Sequence, residues 1–442
     1  MKIYPKMPCS TVSSWKQSKV NRQLCRFLKK INKCKVNRDD LFVYLFMLIT
    51  IVVIVFIIIL VWRLGGDRCN GQRIKQALCK EYNNGVITGD LCYSICIEKS
   101  IPLHYCVSET HSDITYRHEE SLIKIQKYPA VETLPYPISL ETFQDKVFQF
   151  LQYNLGEIDS PQLFDRVLGF TDFNANGEMN YAESNTLWQL LHTREFFILL
   201  IFQDEASFPK INGTCGSAYA YDYIPSSPLY QKKSDVNPVM QYFFPNYNQW
   251  MLPSWEKRAQ IAIGLLELSS ILTESFSTKF YMCDIKHTNF GVSTDFEAKV
   301  VNLESVMSEQ QLLHSGGKKR CYFDSECSYG IGCSMSCDVN SRTCSNVPRR
   351  PAVSFICDIL RDYVLFDSPE DCKFLFESLI SQCQSLTSLN HTISHNVIPN
   401  KIKDILWNQV KNKPVDWLKP RKKRSVVQKN VPLKKAKKKL RV

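Results

Sequence analysis

Three absences in this 442-residue chain each exclude a class of protein. The last segment, 417–442, contains no acidic residue against 12 Lys and Arg, so it cannot pack and reads as a disordered basic tail. Leu41 to Trp62 carries no charge over 22 residues and no polar face, which excludes a surface helix. Among 18 cysteines no pair is spaced CxxC, and histidine is sparse near the cysteine clusters, which argues against structural zinc.

What is present follows from the same places. The net charge of +12 would suggest a nucleic-acid partner, but residues 1–40 hold +9, the tail +12, and the body, 41–416, is −9. A nucleic-acid partner is therefore not expected. The run 41–62 would rise about 33 Å as a helix, enough for a hydrocarbon core of about 30 Å. With 11 Lys and Arg before it, the positive-inside rule puts the basic tail 1–40 in the cytosol and everything after residue 62 in the lumen. The expectation is a single-pass type II signal anchor in the endoplasmic reticulum membrane, with Golgi and cell surface left open.

Fifteen cysteines follow the span, a density suited to an oxidising compartment and to disulfides. Their odd number leaves at least one unpaired or intermolecular. The sequons at Asn212 and Asn390 lie on the same side and suit a glycoprotein.

Residues 172–183, DFNANGEMNYAE, match the EF-hand loop D-x-[DN]-x-[DN]-G-x5-E. Calcium takes six to eight oxygens. Asp172, Asn174 and Asn176 would supply side-chain oxygens and Glu178 a backbone carbonyl. Asn180 would act through water, Glu183 would close the shell, and Gly177 permits the turn. With few charges at the site and no second EF loop, a modest affinity and an insertion in a larger domain are expected.

Residues 254–275 pattern as an amphipathic helix with Ile261, Leu265, Leu268 and Leu272 on one stripe. Next come Cys283-Asp284-Ile285-Lys286-His287-Thr288-Asn289-Phe290, a turn at 293–295 and a short strand at 298–301. Helix, D-x-K-x-x-N loop, hairpin and strand is the order of a protein-kinase catalytic segment. Asp284 would orient or accept the proton of an attacking hydroxyl, Lys286 steady the phosphoryl group, and Asn289 hold a metal ion.

These features together resemble the divergent protein kinase domain 1 family, single-pass, cysteine-rich proteins of the endoplasmic reticulum. The basic tail and anchor, the segment Leu91-Cys92-Tyr93-Ser94-Ile95-Cys96, the EF-hand loop, Gly213-Thr214-Cys215-Gly216 and Cys-Asp-Ile-Lys…Asn-Phe carry the likeness. It implies an α+β, two-lobed protein-kinase-like fold with an EF-hand inserted in the N-lobe, after one transmembrane helix. The expected layout is an N-lobe over 63–215, a C-lobe over 216–416 with a cysteine cluster at 321–344, and the tail 417–442. The family fold also implies a lysine on the third N-lobe strand, Lys124 with Lys127 as fallback, and a partner glutamate, Glu195. Cys283 stands where typical kinases have Arg and is the candidate unpaired thiol.

Two departures qualify the likeness. No G-x-G-x-x-G precedes Lys124, and Asn302 occupies the metal-binding Asp position of D-F-G, with Glu304 the only nearby substitute. The sequence therefore leaves two functions open. One is a lumenal kinase using ATP with Mg²⁺ or Mn²⁺ on a protein or glycan hydroxyl, with Ca²⁺ bound. The other is a catalytically inactive pseudokinase serving as a calcium-stabilised scaffold. Arg421-Lys422-Lys423-Arg424 has the form read by lumenal proprotein convertases.

Overall fold

The computed structural model describes residues 46–58, 69, 71–128, 134–157, 161–170, 178–226, 228–230, 252–274, 276–316, 319–388 and 392–411. The chain divides into two compact units, Met1–Arg68 and Cys69–Val442.

In the first unit residues 46–58 are helical, and apolar side chains from Phe46 to Ile58 are exposed. Residues 41–45 and 59–62 of the expected span lie outside the described residues. Among those described, no helix is long and apolar enough to cross a membrane.

The second unit begins with helix α1 (Gly71–Asn83) and a five-stranded antiparallel sheet: β1 (Cys106–Glu109), β2 (Asp113–His118), β3 (Ser121–Gln126), β4 (Ile211–Cys215) and β5 (Ala218–Asp222). The strand order is β1-β2-β3-β5-β4. The last strand thus lies beyond the boundary expected at residue 215. Side chains alternate across a strand. Ile114, Tyr116, Ile123, Ile125, Ala218 and Ala220 pack on one face against Leu78, Ile87 and Ile95 of the cysteine-rich opening. Bridges Cys69–Cys106, Cys79–Cys96 and Cys92–Cys215 staple that cap, the last closing a separation of 123 residues. Such a bridge contributes about 2–4 kcal/mol by constraining the unfolded chain.

Between β3 and β4 the chain inserts α2 (Leu140–Leu155), α3 (Pro161–Gly169), α4 (Tyr181–Leu191) and α5 (Arg194–Ile201). α2 starts where Ser139 accepts the Thr142 N–H. Every residue of α5 from Glu195 to Ile201 is buried, because it covers the other face of the sheet, carrying Tyr219 and Tyr221.

The second half is built on α6 (Trp255–Glu274). Its expected stripe, Ile261, Leu265, Leu268 and Leu272, is buried, but so are Ala259, Ile263 and Leu266. This is a core helix apolar on more than one side. Buried Arg258 donates to the carbonyls of Tyr363 (2.7 Å) and Phe366 (2.9 Å), satisfying the end of a neighbouring helix. Short antiparallel pairs follow: β6 (Phe280–Met282) pairs with β9 (Val306–Ser308), enclosing the hairpin of β7 (Phe290–Val292) and β8 (Ala298–Val300). Then come α7 (Glu309–Gly316), the hairpin β10 (Met335–Asp338) and β11 (Thr343–Pro348), and helices α8 (Ala352–Val364), α9 (Glu370–Gln384) and α10 (Thr392–Lys411).

The cysteine cluster closes locally through Cys321–Cys337 and Cys327–Cys344, while Cys357–Cys383 joins α8 to α9. The expectation for Cys283 is overturned: it is bonded to Cys333. The free cysteine among the described residues is Cys372, buried at the start of α9. Parity shows that one thiol is left over, but the two partners that meet in space lie 50 residues apart in sequence.

Candidate active site

Strand alternation sets the first half of the site. With Ile123 and Ile125 committed to the cap, Lys124 points to the opposite face, across from Thr115 on β2 and Tyr219 on β5. Glu195 lies in the first turn of α5, where the helix dipole favours a carboxylate. Its Oε2 accepts from Lys124 Nζ at 2.7 Å and from the Tyr219 hydroxyl at 2.9 Å, all three side chains being buried. The fallback, Lys127, reaches Glu109 at 2.7 Å instead.

Lys124 has two further acidic neighbours. Its Nζ also bonds Glu304 Oε1, and Asp113 Oδ1 lies 3.7 Å away. Burial alone would lower the Lys124 pKa, but the Glu195 and Glu304 carboxylates outweigh it and raise it above the ordinary lysine value. Tyr219 and Tyr221 are pushed well above the usual phenol range, first by burial and then by the charge of Glu195. Asp113 and Tyr219 were not singled out in sequence. The available signal for Asp113 is its period-two spacing from Thr115, opposite the apolar Ile114 and Tyr116.

The second half is the loop between β6 and β7. Asp284 and Lys286 pair at 2.8 Å and are half-exposed, so their attraction adds little stability. Asn289 is buried, and its Nδ2 donates to the Asp284 carbonyl, folding the loop back on itself. Val301 N–H donates to the Asn289 carbonyl at 2.9 Å, tying the loop to the end of β8. Just beyond lie Asn302, buried Leu303 and Glu304. Arg194 donates to the Glu304 carbonyl at 3.3 Å, which helps hold that side chain beside Lys124. The connection thus runs from Lys124 to Glu304, along the chain from 304 back to 301, and through Val301 to Asn289 and Asp284.

A divalent cation beside a nucleotide would find few ready ligands here. Asn302 offers a neutral oxygen and Glu304 is engaged by Lys124, which leaves Asn289 Oδ1, oriented by the Nδ2 bond to the Asp284 carbonyl and accepting from the Thr288 hydroxyl at 3.2 Å, as the ligand at hand. The turn between β1 and β2, where a phosphate-covering glycine loop belongs, is Thr110-His111-Ser112. It is closed by Ser112 and Asp113 N–H groups donating to Thr110 Oγ1 at 3.2 and 3.1 Å.

Of the calcium loop, Asp172, Asn174 and Asn176 lie outside the described residues. At its end, Asn180 and Glu183 form a reciprocal capping box that starts α4, with Glu183 Oε2 accepting from Asn180 N–H at 2.8 Å. Glu183 is wholly buried, and Glu178, within the loop, is exposed. A buried carboxylate held at the loop's last position fits the closing ligand of such a site. Elsewhere among the described residues, Cys321, Cys327 and Cys344 are close enough for a metal, but their sulfurs are in disulfides.

Comparison with known families agrees with this geometry. A model described as the protein-kinase domain of FAM69 matches residues 187–386. A second, described as the N-terminal cysteine-rich ER segment of FAM69, matches residues 40–127. The first covers the helix bearing Glu195, strands β4 to β11 and the Asp284 loop. The second covers the disulfide cap and the strand bearing Lys124, and its description supports a secretory-pathway location. The chain belongs to the FAM69, or PIP49, family of divergent kinase-like proteins of the endoplasmic reticulum.

Proposed function

We propose that this protein binds ATP between its two halves and transfers the γ-phosphoryl group to a hydroxyl of a lumenal protein or glycan. One observation carries the reading: the buried Lys124–Glu195 pair at 2.7 Å, linked through Glu304 and Val301 to the Asp284–Asn289 loop. Lys124 would hold the nucleotide phosphates. Asp284 would take the hydroxyl proton as its oxygen bonds the γ-phosphorus and the bond to the bridging oxygen of ADP breaks. Lys286 would steady the charge in transit, and Asn289 would hold Mg²⁺ or Mn²⁺, which neutralises phosphate charge when bound.

Three carboxylates around Lys124 leave the site with surplus negative charge before any phosphate arrives. A nucleotide must therefore draw Lys124 away from Glu304, and Glu304, once released, is the anionic group closest in sequence to Asn302. The pseudokinase reading has its own support in Asn302 and in the closed Thr110–Ser112 turn. The calcium loop serves either reading as a brace, since α4 packs beneath the cap: Thr186 Oγ1 accepts from Thr88 N–H at 3.0 Å. The apolar run 41–62 would anchor the chain as type II.

Purified full-length protein, incubated with labelled ATP, Mn²⁺ and a secretory-pathway protein fraction, tests the choice. Label transfer abolished by Asp284→Ala is expected. Equal transfer by wild type and Asp284→Ala would refute the kinase reading, and ATP-dependent stabilisation without transfer would select the pseudokinase.

A further inference from the structure

The residue before the catalytic Asp is Arg in typical kinases, where it receives a phosphorylated activation segment. Here it is Cys283, and its partner Cys333 lies in the segment between β9 and α8, the position of an activation segment. The geometry points to the Cys283–Cys333 disulfide as a covalent replacement for that phosphate clamp, making these cysteines positioning residues for Asp284. The inference rests on the kinase-like reading of the Asp284 loop.

Several features support it. Cys283 N–H donates to Ser305 O at 2.9 Å, and Cys283 O accepts from Gly332 N–H at 3.0 Å. The loop is therefore held on one side by the strand after Glu304 and on the other by the cysteine module. A Cβ on Gly330 would lie 2.2 Å from Cys283 O, and one on Gly332 would lie 2.0 Å from Met282 O. Only glycine permits this approach. Cys283 and Cys333 are buried with Met307 and Leu312, and Tyr281 and Tyr329 pack against them. Burial, then the charge of Glu309, raises Tyr281 to about 12.

The module that makes this contact is itself fixed by Cys321–Cys337 and Cys327–Cys344. An ordinary activation segment is ordered by a reversible charge. This one is ordered by three bridges, one of them to the catalytic loop. The segment would then be permanently positioned, with no phosphorylation required.

The test uses the full-length protein with Cys283→Ala/Cys333→Ala, beside Cys327→Ala/Cys344→Ala as a control within the module. Hydrogen exchange over 279–292 is expected to quicken about 10- to 100-fold in the first variant, with β3 unchanged and the control much less affected. In the transfer assay kcat should fall while the KM for ATP stays within about twofold. Phosphatase treatment of wild type should change neither exchange nor rate. Unchanged exchange over 279–292, or equal loss in the control, would overturn the proposal. If the alanine variant does not fold, disulfide mapping of wild type decides: a Cys283–Cys333 linked peptide is expected, and either cysteine paired elsewhere refutes it. Failure of the kinase reading would appear separately, as no transfer by wild type with the exchange result intact.

Discussion

The two halves of the candidate site are held together by different means. Around Lys124 the sheet and α5 bury an ammonium among carboxylates, and the Lys124–Glu195 pair is protected from water. In the second half Asp284 and Lys286 are half-exposed, and order comes from backbone hydrogen bonds, the buried Asn289 and one disulfide. The first half is costly to disturb and chemically occupied. The second is cheap to substitute and chemically open. Stability and chemistry should therefore separate cleanly when each half is altered.

The largest effect is expected in the open half. Asp284→Ala should lower transfer about 10²–10⁴-fold, as loss of a general base does. The melting temperature should barely move, because the residue is half-exposed. A marked loss of stability would show that the loop is as structural as the lysine face. In the occupied half, Glu195→Ala leaves Lys124 and Tyr219 without their shared partner and should cost about 3–5 kcal/mol in urea unfolding. A cost below about 1 kcal/mol would mean that Glu304 and Asp113 suffice.

Glu183→Ala should remove half of the α4 capping box, about 1 kcal/mol. It should also abolish any calcium-induced rise in melting temperature; a rise that survives would refute the calcium loop. The smallest effects concern pH and the free thiol among the described residues. The Lys124 pKa is raised in the folded chain, so its stabilising contribution is fully present below the ordinary lysine value of about 10.4 and lost only as pH climbs through the higher folded value. Stability should accordingly show no Lys124 titration between about pH 6 and 9. Burial, then Asp371, raises the Cys372 thiol, so iodoacetamide should label it at pH 8 only after unfolding.

Much of this was legible in the chain because local pattern sets it. The helix before Asp284 and the D-x-K-x-x-N spacing are local patterns that survive folding, although the helix is buried on more than one side, and Lys124 is legible through the family resemblance. Glu195 was legible only as an acid preceding an apolar run; its burial depends on Tyr219 approaching from another strand. Asp113 carries only a weak signal, its period-two spacing from Thr115, since an acid among polar and apolar neighbours is common. Cys283 misled because cysteine parity is a count, whereas pairing depends on tertiary approach, here allowed by Gly330 and Gly332. The sequence puts Glu304 near Asn302, but the Lys124 ammonium attracts a carboxylate more strongly than a neutral amide does.

Thermal unfolding of the full-length protein with ATP and Mn²⁺, for wild type and Glu304→Gln, bears most directly on a nucleotide site at Lys124. Saturating nucleotide, at about 100 times Kd, adds about 2.7 kcal/mol to a state that binds it. Both proteins should melt higher, and Glu304→Gln should respond at lower ATP because a competing carboxylate has gone. No rise in either protein would contradict a nucleotide site at Lys124.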